Sequence, residues 1–316
     1  MNVKISVAMA TYNGEKFLKE QLDSIYSQSY LPYEVIVTDD CSTDSTVSIL
    51  EQYKESHGLK YYVNEQNVGY NKNFEKALSL CQCDYIAISD QDDVWMKNKL
   101  EVSLVKLLEI ENDLPAMVST SNNKVNDKLE IINISNPKNK QYLNYYDSIF
   151  NCLSHGATII INRKLLNLIL PFPDSKNYVY DAYIGFVASF CGNKYYIPQK
   201  LINHRIHDNN SFHKKNSHKK NKIASRFIDY YMYIKRNKYC GLMPEGSYQL
   251  LKIMDSHCNS AILNERKKLL YDLITIYESN YFKSIILILK LREIPFLKKI
   301  KIVFLSTLNS IINLKK

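Results

Sequence analysis

The chain has 316 residues and a formal net charge of +9, and 46% of its residues are hydrophobic while 23% are charged. These proportions are those of a folded, soluble protein that can bury a sizeable core in one large domain or two smaller ones. The seven cysteines show no paired zinc spacing, and the longest strongly apolar stretch, 285–289, is far shorter than the roughly 20 residues that span a bilayer. Because no apolar signal segment stands at the start, the sequence predicts a cytosolic protein with reduced thiols and no transmembrane helix.

Strands and helices are predicted to alternate along the first hundred residues. Apolar runs predict four strands, at 3–10, 33–38, 59–63 and 85–88. Apolar residues at helical spacing predict three helices between them, at about 17–25, 43–55 and 70–80. This alternation predicts a parallel, doubly wound sheet whose ligand lies beyond the carboxyl ends of the strands. The polar clusters of this half all follow a strand, which is the end where such a ligand binds.

The second half of the chain is less regular. Its predicted elements are a helix over 96–111, a strand over 116–120, a strand over 159–161, a helix that ends near 190 and a closing strand from 195. The Asn-rich stretch up to about 144 is predicted to form loops that could include a hairpin. From about 223 the pattern is helical to the end, and residues 281–316 hold eight basic residues against one acidic residue.

Three carboxylates fall within four residues at the end of the fourth strand, at Asp90, Asp92 and Asp93. Carboxylates placed side by side repel one another, so this arrangement is favourable mainly where a cation or a row of donors offsets the charge. Magnesium or manganese is the natural candidate, because a hard divalent cation is usually held by one or two carboxylates and the phosphates of a substrate. The alternative is an exposed acidic turn that caps the next helix.

Two other nucleotide-binding arrangements are excluded by their missing motifs. The chain has no G-x-G-x-x-G after its first strand and no G-x-x-x-x-G-K-[ST] anywhere, so neither a dinucleotide nor a phosphate-cradling loop is supported. Phosphates would have to be held in another way. A metal on Asp90 and Asp92 would hold them.

Four segments carry a family resemblance: 8–13 (AMATYN), 35–46 (VIVTDDCSTDST), 67–69 (NVG) and 90–95 (DQDDVW). In this order they resemble the signatures of family 2 glycosyltransferases, and the last segment is most similar to the rhamnosyltransferase-like members that build bacterial surface polysaccharides. The resemblance spans roughly residues 3–215. It implies the GT-A fold, a Rossmann-like α/β fold with a mixed, mostly parallel sheet flanked by helices, here with a helical C-terminal extension. Cys41 departs from the family, which commonly has Gly there, and we expect it to be tolerated if its backbone avoids positive φ.

The resemblance implies that a nucleotide-sugar donor is bound by the loops after the first strands. Thr11 and Tyr12, with Asp39 or Asp40, would hold the base, and the carboxylate would accept the imide N–H of uracil or thymine. The other residues that the resemblance places against the donor are Asn13, Asn67, Gly69, Asn73, Asp90, Gln91 and Arg205. The alternative for Tyr12 is an ordinary loop aromatic, and Lys99 could face either phosphate or water.

The resemblance also implies a divalent metal, Mn²⁺ or Mg²⁺, and a general base. Asp92 would bind the metal that bridges the diphosphate, and His207 would complete the metal shell or contact the diphosphate. Asp181 occupies the family's position for the base, because a sugar hydroxyl is a weak nucleophile and a nearby carboxylate can take its proton. The alternative for Asp181 is a helix N-cap without a chemical role. Three further residues are expected near the acceptor: Trp95, His155 and Tyr180.

The resemblance therefore implies an inverting, metal-dependent transfer of rhamnose or another hexose from a UDP- or dTDP-linked donor to a saccharide or lipid-linked acceptor, in bacterial surface polysaccharide synthesis. Residues 1–220 would form the catalytic domain, with a nucleotide-binding half up to about 100 and an acceptor-binding half after it. One alternative is a nucleotidyltransferase, which also pairs an alternating sheet with acidic metal ligands. The other is a non-catalytic protein that binds a membrane surface. Nucleic acid is not an expected partner, because the aromatic-interleaved basic patch typical of single-strand binders is only weakly present.

The basic C-terminal region, residues 221–316, is predicted to be helical. Its last part, 281–316, interleaves apolar and basic residues, and a tail of this kind can lie on an anionic membrane surface. This would place the protein at the inner face of the cell membrane. The alternative is a helical pair that packs on the catalytic domain or on a second copy in a homo-oligomer.

Overall fold

The computed structural model describes residues 3–133, 155–174, 178–207, 239–240 and 243–278. The strands in these ranges are β1 (Ile5–Thr11), β2 (Glu34–Asp39), β3 (Lys60–Val63), β4 (Tyr85–Ser89), β5 (Val94–Trp95), β6 (Ala116–Val125), β7 (Ile131–Asn133), β8 (Ile159–Asn162), β9 (Asn193–Arg205), β10 (Tyr239–Cys240) and β11 (Met243–Pro244). The helices are α1 (Leu18–Tyr26), α2 (Thr46–His57), α3 (Tyr70–Leu80), α4 (Lys99–Ile110), α5 (Arg163–Ile169), α6 (Tyr180–Cys191), α7 (Glu245–His257) and α8 (Asn264–Glu278). Two short 3₁₀ helices cover Gly156–Thr158 and Asn259–Ala261.

The main sheet has the strand order β3-β2-β1-β4-β8-β6-β9-β5, and β7 pairs with β6 at its side. The first four strands in this order run parallel to one another, as the alternation of strands and helices predicts. β8 is antiparallel to both β4 and β6, whereas β6 and β9 are parallel. The mixed sheet with its helices confirms the predicted α/β fold class.

The central strands are apolar because the sheet is covered on both faces. Every residue of β2 is buried, and so is every residue of β1 except Ala10. α1 closes one part of the sheet with Leu18, Leu22 and Ile25, which recur at helical spacing and are fully buried. Burial of such side chains supplies most of the stabilisation that a domain of this kind has.

The strand register brings the polar loops to one edge. Thr11 at the end of β1 lies beside Asp39 at the end of β2, and Met9 of β1 pairs with Ser89 at the end of β4. The residues that follow these strands therefore leave the sheet at neighbouring points. This is the carboxyl-end edge at which the sequence predicts a ligand.

The fold departs from the predicted elements around Trp95. The helix expected from Met96 begins at Lys99, and residues 94–95 instead form β5, which pairs antiparallel with Ile202 and Asn203 of β9. The closing strand expected from 195 is found as β9, a strand of 13 residues that pairs along its length with β6. The strand β5 and the full length of β9 come from pairing between distant segments, which periodicity along the chain does not encode.

Contact clustering divides the chain into two units. One consists of residues 1–148, 152–174 and 179–214, and the other of 149–151, 175–178 and 215–316. In the described part of the second unit, β10 and β11 pair antiparallel and precede the helices α7 and α8, so this region is not helical throughout. The predicted basic tail, 281–316, and the basic residues at 213–220 lie outside the described residues. Among the residues described, no helix is long and apolar enough to cross a bilayer.

Candidate functional site

The first two loops at the sheet edge are joined by a buried carboxylate. Oγ1 of Thr11 donates to Oδ1 of Asp39 at 2.8 Å, and the backbone N–H of Ser42 donates to Oδ2 at the same distance. The Ser42 hydroxyl donates to Oδ1 at 2.6 Å. Asn13 adds a second tie, because its Oδ1 accepts the backbone N–H of Thr43 at 2.9 Å. Tyr12 stands beside these contacts with 49% of its surface exposed.

Asp40 holds the third loop in place. Its Oδ1 accepts from Nδ2 of Asn64 and from the backbone N–H of Val68, and its Oδ2 accepts from the backbone N–H of Gly69 at 2.9 Å. Gly69 has φ of +84°, a conformation that glycine adopts without the cost that a side chain would bring. Asn67 is exposed on this loop and donates to the carbonyl oxygen of Asp40. In both acidic candidates for reading the base, Oδ2 accepts one hydrogen bond among the described residues: from the backbone N–H of Ser42 in Asp39 and from that of Gly69 in Asp40.

Asn73 and Cys41 differ from their expected environments. Asn73 is 2% exposed, and its Nδ2 donates to the carbonyl oxygens of Thr11 and Thr38, so it joins strand ends beneath the edge rather than lining the nucleotide. Cys41 has φ of +65°, so the condition under which we expected a residue other than Gly to be tolerated there is not met. The tight turn that lets Ser42 reach back to Asp39 imposes this conformation on a residue with a Cβ.

Gln91 links the acidic loop to the first loop. Its Oε1 accepts the backbone N–H of Tyr12 at 2.9 Å, and its Nε2 donates to the backbone carbonyl of Tyr12 at 3.0 Å. A Cβ on Gly14 would lie 2.4 Å from Oε1 of Gln91, so the glycine leaves the space that this amide occupies. Gln91, which we expected to contact the donor, therefore fixes the backbone of Tyr12 in the first loop.

The three carboxylates of the acidic loop converge. Asp90, Asp92 and Asp93 each present an oxygen within 4.8 Å of the others. Burial, followed by the nearby charges of Asp93 and Asp92, raises the pKa of Asp90 well above its usual range. The repulsion among the three carboxylates is the electrostatic cost that a bound cation would offset.

His207 joins the acidic loop from the far end of the chain. Its Nε2 lies 2.8 Å from Oδ2 of Asp92, and both side chains are mostly buried. Its ring also packs against Phe17, with 5.2 Å between the ring centroids. The meeting of Asp92 and His207, which the sequence predicts from the fold, is therefore observed. Oxygen ligands and one imidazole form a donor set that suits Mn²⁺ or Mg²⁺, so the residues present fit the predicted metal.

A second histidine pair lies beside the acidic loop. Nδ1 of His204 lies 2.9 Å from Oδ1 of Asp93, which is fully buried and also accepts the backbone N–H of Arg205 at 3.2 Å. The His155 ring contacts the His204 ring at 4.2 Å between centroids, and its Nδ1 is 3.9 Å from Oδ2 of Asp90. Sequence reasoning missed His204, because no local signal distinguishes it from its neighbours on β9.

Arg205 does not face the predicted diphosphate. Its side chain is fully buried, its guanidinium forms an ion pair with Glu20, and it donates to the backbone carbonyl of Asp127. The guanidinium carbon also lies 4.4 Å from the centroid of the Phe17 ring. The alternation of side chains along β9 turns Arg205 to the face opposite to that of His204. We expected Arg205 to contact the diphosphate, and the structure corrects this: Arg205 has a structural role instead.

Trp95 and Lys99 also lie inside the protein. Trp95 is 3% exposed, and its backbone N–H donates to Oγ of Ser24, so it does not present an acceptor surface. Lys99 is fully buried with its Nζ 3.6 Å from the centroid of the Trp95 ring, and so faces neither phosphate nor water. Burial lowers the pKa of Lys99 to about 7, against the opposing effect of the Asp93 charge.

Asp181 lies in the first turn of α6 and is held by two backbone donors. Its Oδ1 accepts the N–H of Ala182 at 2.6 Å, and its Oδ2 accepts the N–H of Gly156 at 3.2 Å. Burial raises the pKa of Asp181 to about 6, although these N–H groups act in the opposite direction. A carboxylate with this pKa can accept a proton near neutral pH.

Tyr180 lies between the acidic loop and Asp181. It is 5% exposed, and its ring stacks on Phe74 at 4.2 Å between centroids. Burial, followed by the nearby charge of Asp90, raises the pKa of Tyr180 well above its usual range. A Cβ on Gly156 would lie 1.8 Å from the Tyr180 hydroxyl oxygen, so glycine is required at this position. Gly156, which sequence reasoning passed over, therefore supports both Asp181 and Tyr180.

Comparisons with known proteins agree with this architecture. The family model for glycosyl transferase family 2 matches residues 6–169. A dTDP-rhamnosyl transferase of Shigella flexneri, RfbG, is 31% identical over 220 residues, which cover 64% of this chain and 72% of that protein.

Two solved structures share the fold. The structure of S. aureus TarS residues 1–349 in complex with UDP-GlcNAc has a TM-score of 0.59 and 20% identity, covering 92% of this chain and 77% of that chain. A mannosyltransferase from Pyrobaculum calidifontis in complex with GDP-Man and Mn²⁺ has a TM-score of 0.54 and 16% identity, covering 98% of this chain and 80% of that chain. The chain belongs to glycosyl transferase family 2 and is a glycosyltransferase that uses a nucleotide-sugar donor.

Proposed function

We propose that this enzyme transfers a hexose, rhamnose among the candidates, from a UDP- or dTDP-linked donor to a saccharide or lipid-linked acceptor in the synthesis of a bacterial surface polysaccharide. The observation that carries the proposal is the convergence of Asp90, Asp92 and His207 at the carboxyl-end edge of the sheet, beside the first two loops. The named activity of RfbG supports a dTDP-linked rhamnose, and the UDP-GlcNAc bound to TarS supports a uridine donor.

On the donor side, Asp39 is the residue we assign to the base. Its Oδ2 accepts a hydrogen bond from the backbone of Ser42, and a carboxylate oxygen can accept a second from the imide N–H of uracil or thymine. Tyr12 is exposed at the same point and offers its ring to the base. Asp40 acts indirectly, because it holds the loop of Asn67 and Gly69.

The diphosphate lies on the acidic loop in this proposal. Asp92 and His207 would hold Mn²⁺ or Mg²⁺, which when bound supplies positive charge against the leaving nucleoside diphosphate. The complex of the structural neighbour with GDP-Man and Mn²⁺ supports this assignment. Asp90, whose carboxylate lies within 4.8 Å of that of Asp92, would contribute negative charge to the same ion.

Asp181 is the proposed general base. It would take the proton of the acceptor hydroxyl while that oxygen attacks the anomeric carbon from the face opposite the leaving group, with inversion and without a covalent sugar-enzyme species. The N–H groups of Ala182 and Gly156 fix both carboxylate oxygens of Asp181. His155 stands 39% exposed beside this position and can contact the acceptor.

The nucleotide site is tested by isothermal titration calorimetry with UDP and dTDP, each with and without MnCl₂. We expect one nucleotide to bind, more tightly with Mn²⁺, and the Mn²⁺-dependent part to be lost in Asp92→Asn. Asp113→Asn is the matched control, because Asp113 is an exposed carboxylate whose nearest charged partner is Lys164. If neither nucleotide binds to the folded protein, or if both variants behave alike, the donor site is assigned wrongly.

Two parts of the proposal rest on sequence alone. We propose that residues 1–220 are the catalytic domain and that the basic tail, 281–316, contacts an anionic membrane. Co-sedimentation with phosphatidylglycerol vesicles tests the second point. The full chain should sediment with these vesicles and not with phosphatidylcholine vesicles, and a chain ending at 280 should stay in solution. Equal sedimentation of both chains would contradict membrane contact through the tail.

A further inference from the structure

Asp93, His155 and His204 form a cluster beside the metal set of Asp92 and His207, and Asp93 also lies within 4.8 Å of Asp90 and Asp92. Each residue of the cluster offers one ligand atom, and these atoms lie within 4.8 Å of one another. The three residues come from different parts of the chain: the acidic loop, the segment before β8, and the end of β9. We propose that this cluster is a second cation site, distinct from that of Asp92 and His207, and that it binds a divalent transition metal with affinity for imidazole, such as Zn²⁺ or Co²⁺.

The geometry of the cluster is close to that of a metal site. Ligand atoms around one tetrahedral zinc are about 3.3 Å apart, as zinc–nitrogen bonds of about 2.0 Å require. His204 and Asp93 already approach to 2.9 Å through Nδ1 and Oδ1, and the two imidazole rings lie 4.2 Å apart at an angle of 60°. Binding of one ion would bring the three ligand atoms, now within 4.8 Å of one another, to about this spacing.

Two atoms of the cluster are buried and have no hydrogen-bond partner among the described residues. They are Oδ2 of Asp93, whose side chain is fully buried, and Nδ1 of His155. Buried polar atoms in folded proteins are nearly always hydrogen-bonded, because leaving one unpaired costs about 1–3 kcal/mol and more for a charged group. One cation would satisfy both atoms, and the positive charge would offset the buried carboxylate.

The cluster can be reached from solvent. The His155 side chain is 39% exposed, so an ion can reach the cluster from solvent.

The proportion of ligand types differs between this site and the donor-side metal site. This cluster offers two imidazoles and one carboxylate, whereas the donor-side set has one imidazole, that of His207, beside the carboxylates. Imidazole nitrogen favours zinc, cobalt, nickel and copper, whereas carboxylate oxygen favours magnesium, calcium and manganese. The proposal does not rest on the nucleotide site, because it concerns binding of the metal alone.

The test is a titration of metal-free protein with CoCl₂, followed by visible absorption. Cobalt bound in part by imidazole at low coordination number absorbs far more strongly than six-coordinate cobalt held by oxygen. Bands that remain in Asp92→Asn and are lost in His155→Phe therefore report on this cluster. We expect saturable absorption bands that ZnCl₂ removes by competition, and at least a tenfold weaker affinity in His155→Phe. Phenylalanine keeps the ring that packs against His204.

Three controls make the result decisive. His155→Gln tests the same loss without an apolar ring, and circular dichroism confirms that each variant is folded. His57→Phe removes an exposed histidine at the end of α2 and should leave the bands unchanged. Asp92→Asn should also keep them, because Asp92 belongs to the other site.

Three outcomes would overturn the proposal. The first is that no bands appear, or that cobalt binds with a Kd weaker than about 1 mM. The second is that His155→Phe and His155→Gln, both folded, bind cobalt like the parent protein. The third is that Asp92→Asn loses the bands as fully as His155→Phe, which would mean that one ion is shared by the whole acidic loop.

Discussion

Nε2 of His207 lies 2.8 Å from Oδ2 of Asp92, although 115 positions separate the two residues in the chain. The antiparallel pairing of β5 with β9 produces this contact, because it sets Val94 opposite Asn203 and Trp95 opposite Ile202. Continuing that register by one pair sets Asp93 beside His204, where the hydrogen bond between them is found. The two-residue strand β5 thus connects the acidic loop to the end of β9.

His207→Ala should weaken Mn²⁺ binding by about 10–100-fold, the range found when a metal site loses one supporting residue. Isothermal titration with MnCl₂ measures this effect, with His57→Ala as the control for loss of a histidine elsewhere. An unchanged Mn²⁺ affinity in folded His207→Ala would remove His207 from the metal site. Its contact with Asp92 would then serve to position the carboxylate.

Asp181→Asn should reduce kcat by about 10²–10⁴-fold, as expected for loss of a general base, while nucleotide affinity stays the same. In the parent enzyme, kcat should fall below pH 6 because protonation of Asp181, whose pKa burial raises to about 6, removes the base. Rates of sugar transfer measured from pH 5 to 8 test both points. A parent profile that is flat across pH 6 would exclude Asp181 as the titrating base.

Gly156→Ala should destabilise the protein by about 1–3 kcal/mol, because the added Cβ would lie 1.8 Å from the Tyr180 hydroxyl oxygen. Tyr180→Phe removes that oxygen but keeps the ring that stacks on Phe74. The Cζ atom of residue 180 would still lie 2.6 Å from the added methyl group. The double variant should therefore recover part of the loss. Urea unfolding of the four proteins measures the coupling, and strictly additive losses would show that the two residues do not contact each other.

Cys41→Gly should raise the free energy of unfolding by about 1 kcal/mol, because Cys41 has φ of +65° and glycine adopts that conformation without steric cost. Cys41→Ala is the matched control, since alanine keeps the Cβ and removes only the thiol. It should show no gain. Equal stability of the glycine and alanine variants in urea would mean that the backbone at this turn is not strained.

Lys99→Met should stabilise the protein most below pH 7, where the buried Lys99 is still protonated. Burial lowers the pKa of Lys99 to about 7, so between pH 7 and the usual lysine range the unfolded chain binds a proton that the folded chain does not. The parent protein therefore gains stability as pH rises, by up to about 1.4 kcal/mol per pH unit, and Lys99→Met lacks this gain. Denaturant unfolding of both proteins at pH 6, 7, 8 and 9 should show that the difference between their free energies of unfolding shrinks as the pH rises. A difference that is constant with pH would indicate that Lys99 titrates normally.

The local sequence was sufficient for the first half of the fold. The helix predicted over 70–80 is found as Tyr70–Leu80, and the four parallel strands lie within two residues of their predicted starts. Apolar periodicity carries this information because each of these elements buries one face or both faces against the same core. The alternation of strands and helices alone predicts a parallel sheet, and therefore the edge at which the polar loops meet.

The tertiary structure decided how the side chains at that edge are used. Arg205, Asn73 and Trp95 belong to motifs that resemble donor or acceptor segments, and the fold buries all three. β5 and the full length of β9 exist because they pair with distant strands, and the same pairing brings His204 to Asp93 and His207 to Asp92.

The class of fold, the family and the loops that form the site could be read from local periodicity and from short ordered motifs. Which polar residues of those motifs face the ligand edge, and which support it from inside, depends on contacts between distant segments. A strand turns alternate side chains to opposite faces, and long-range pairing sets which face is covered.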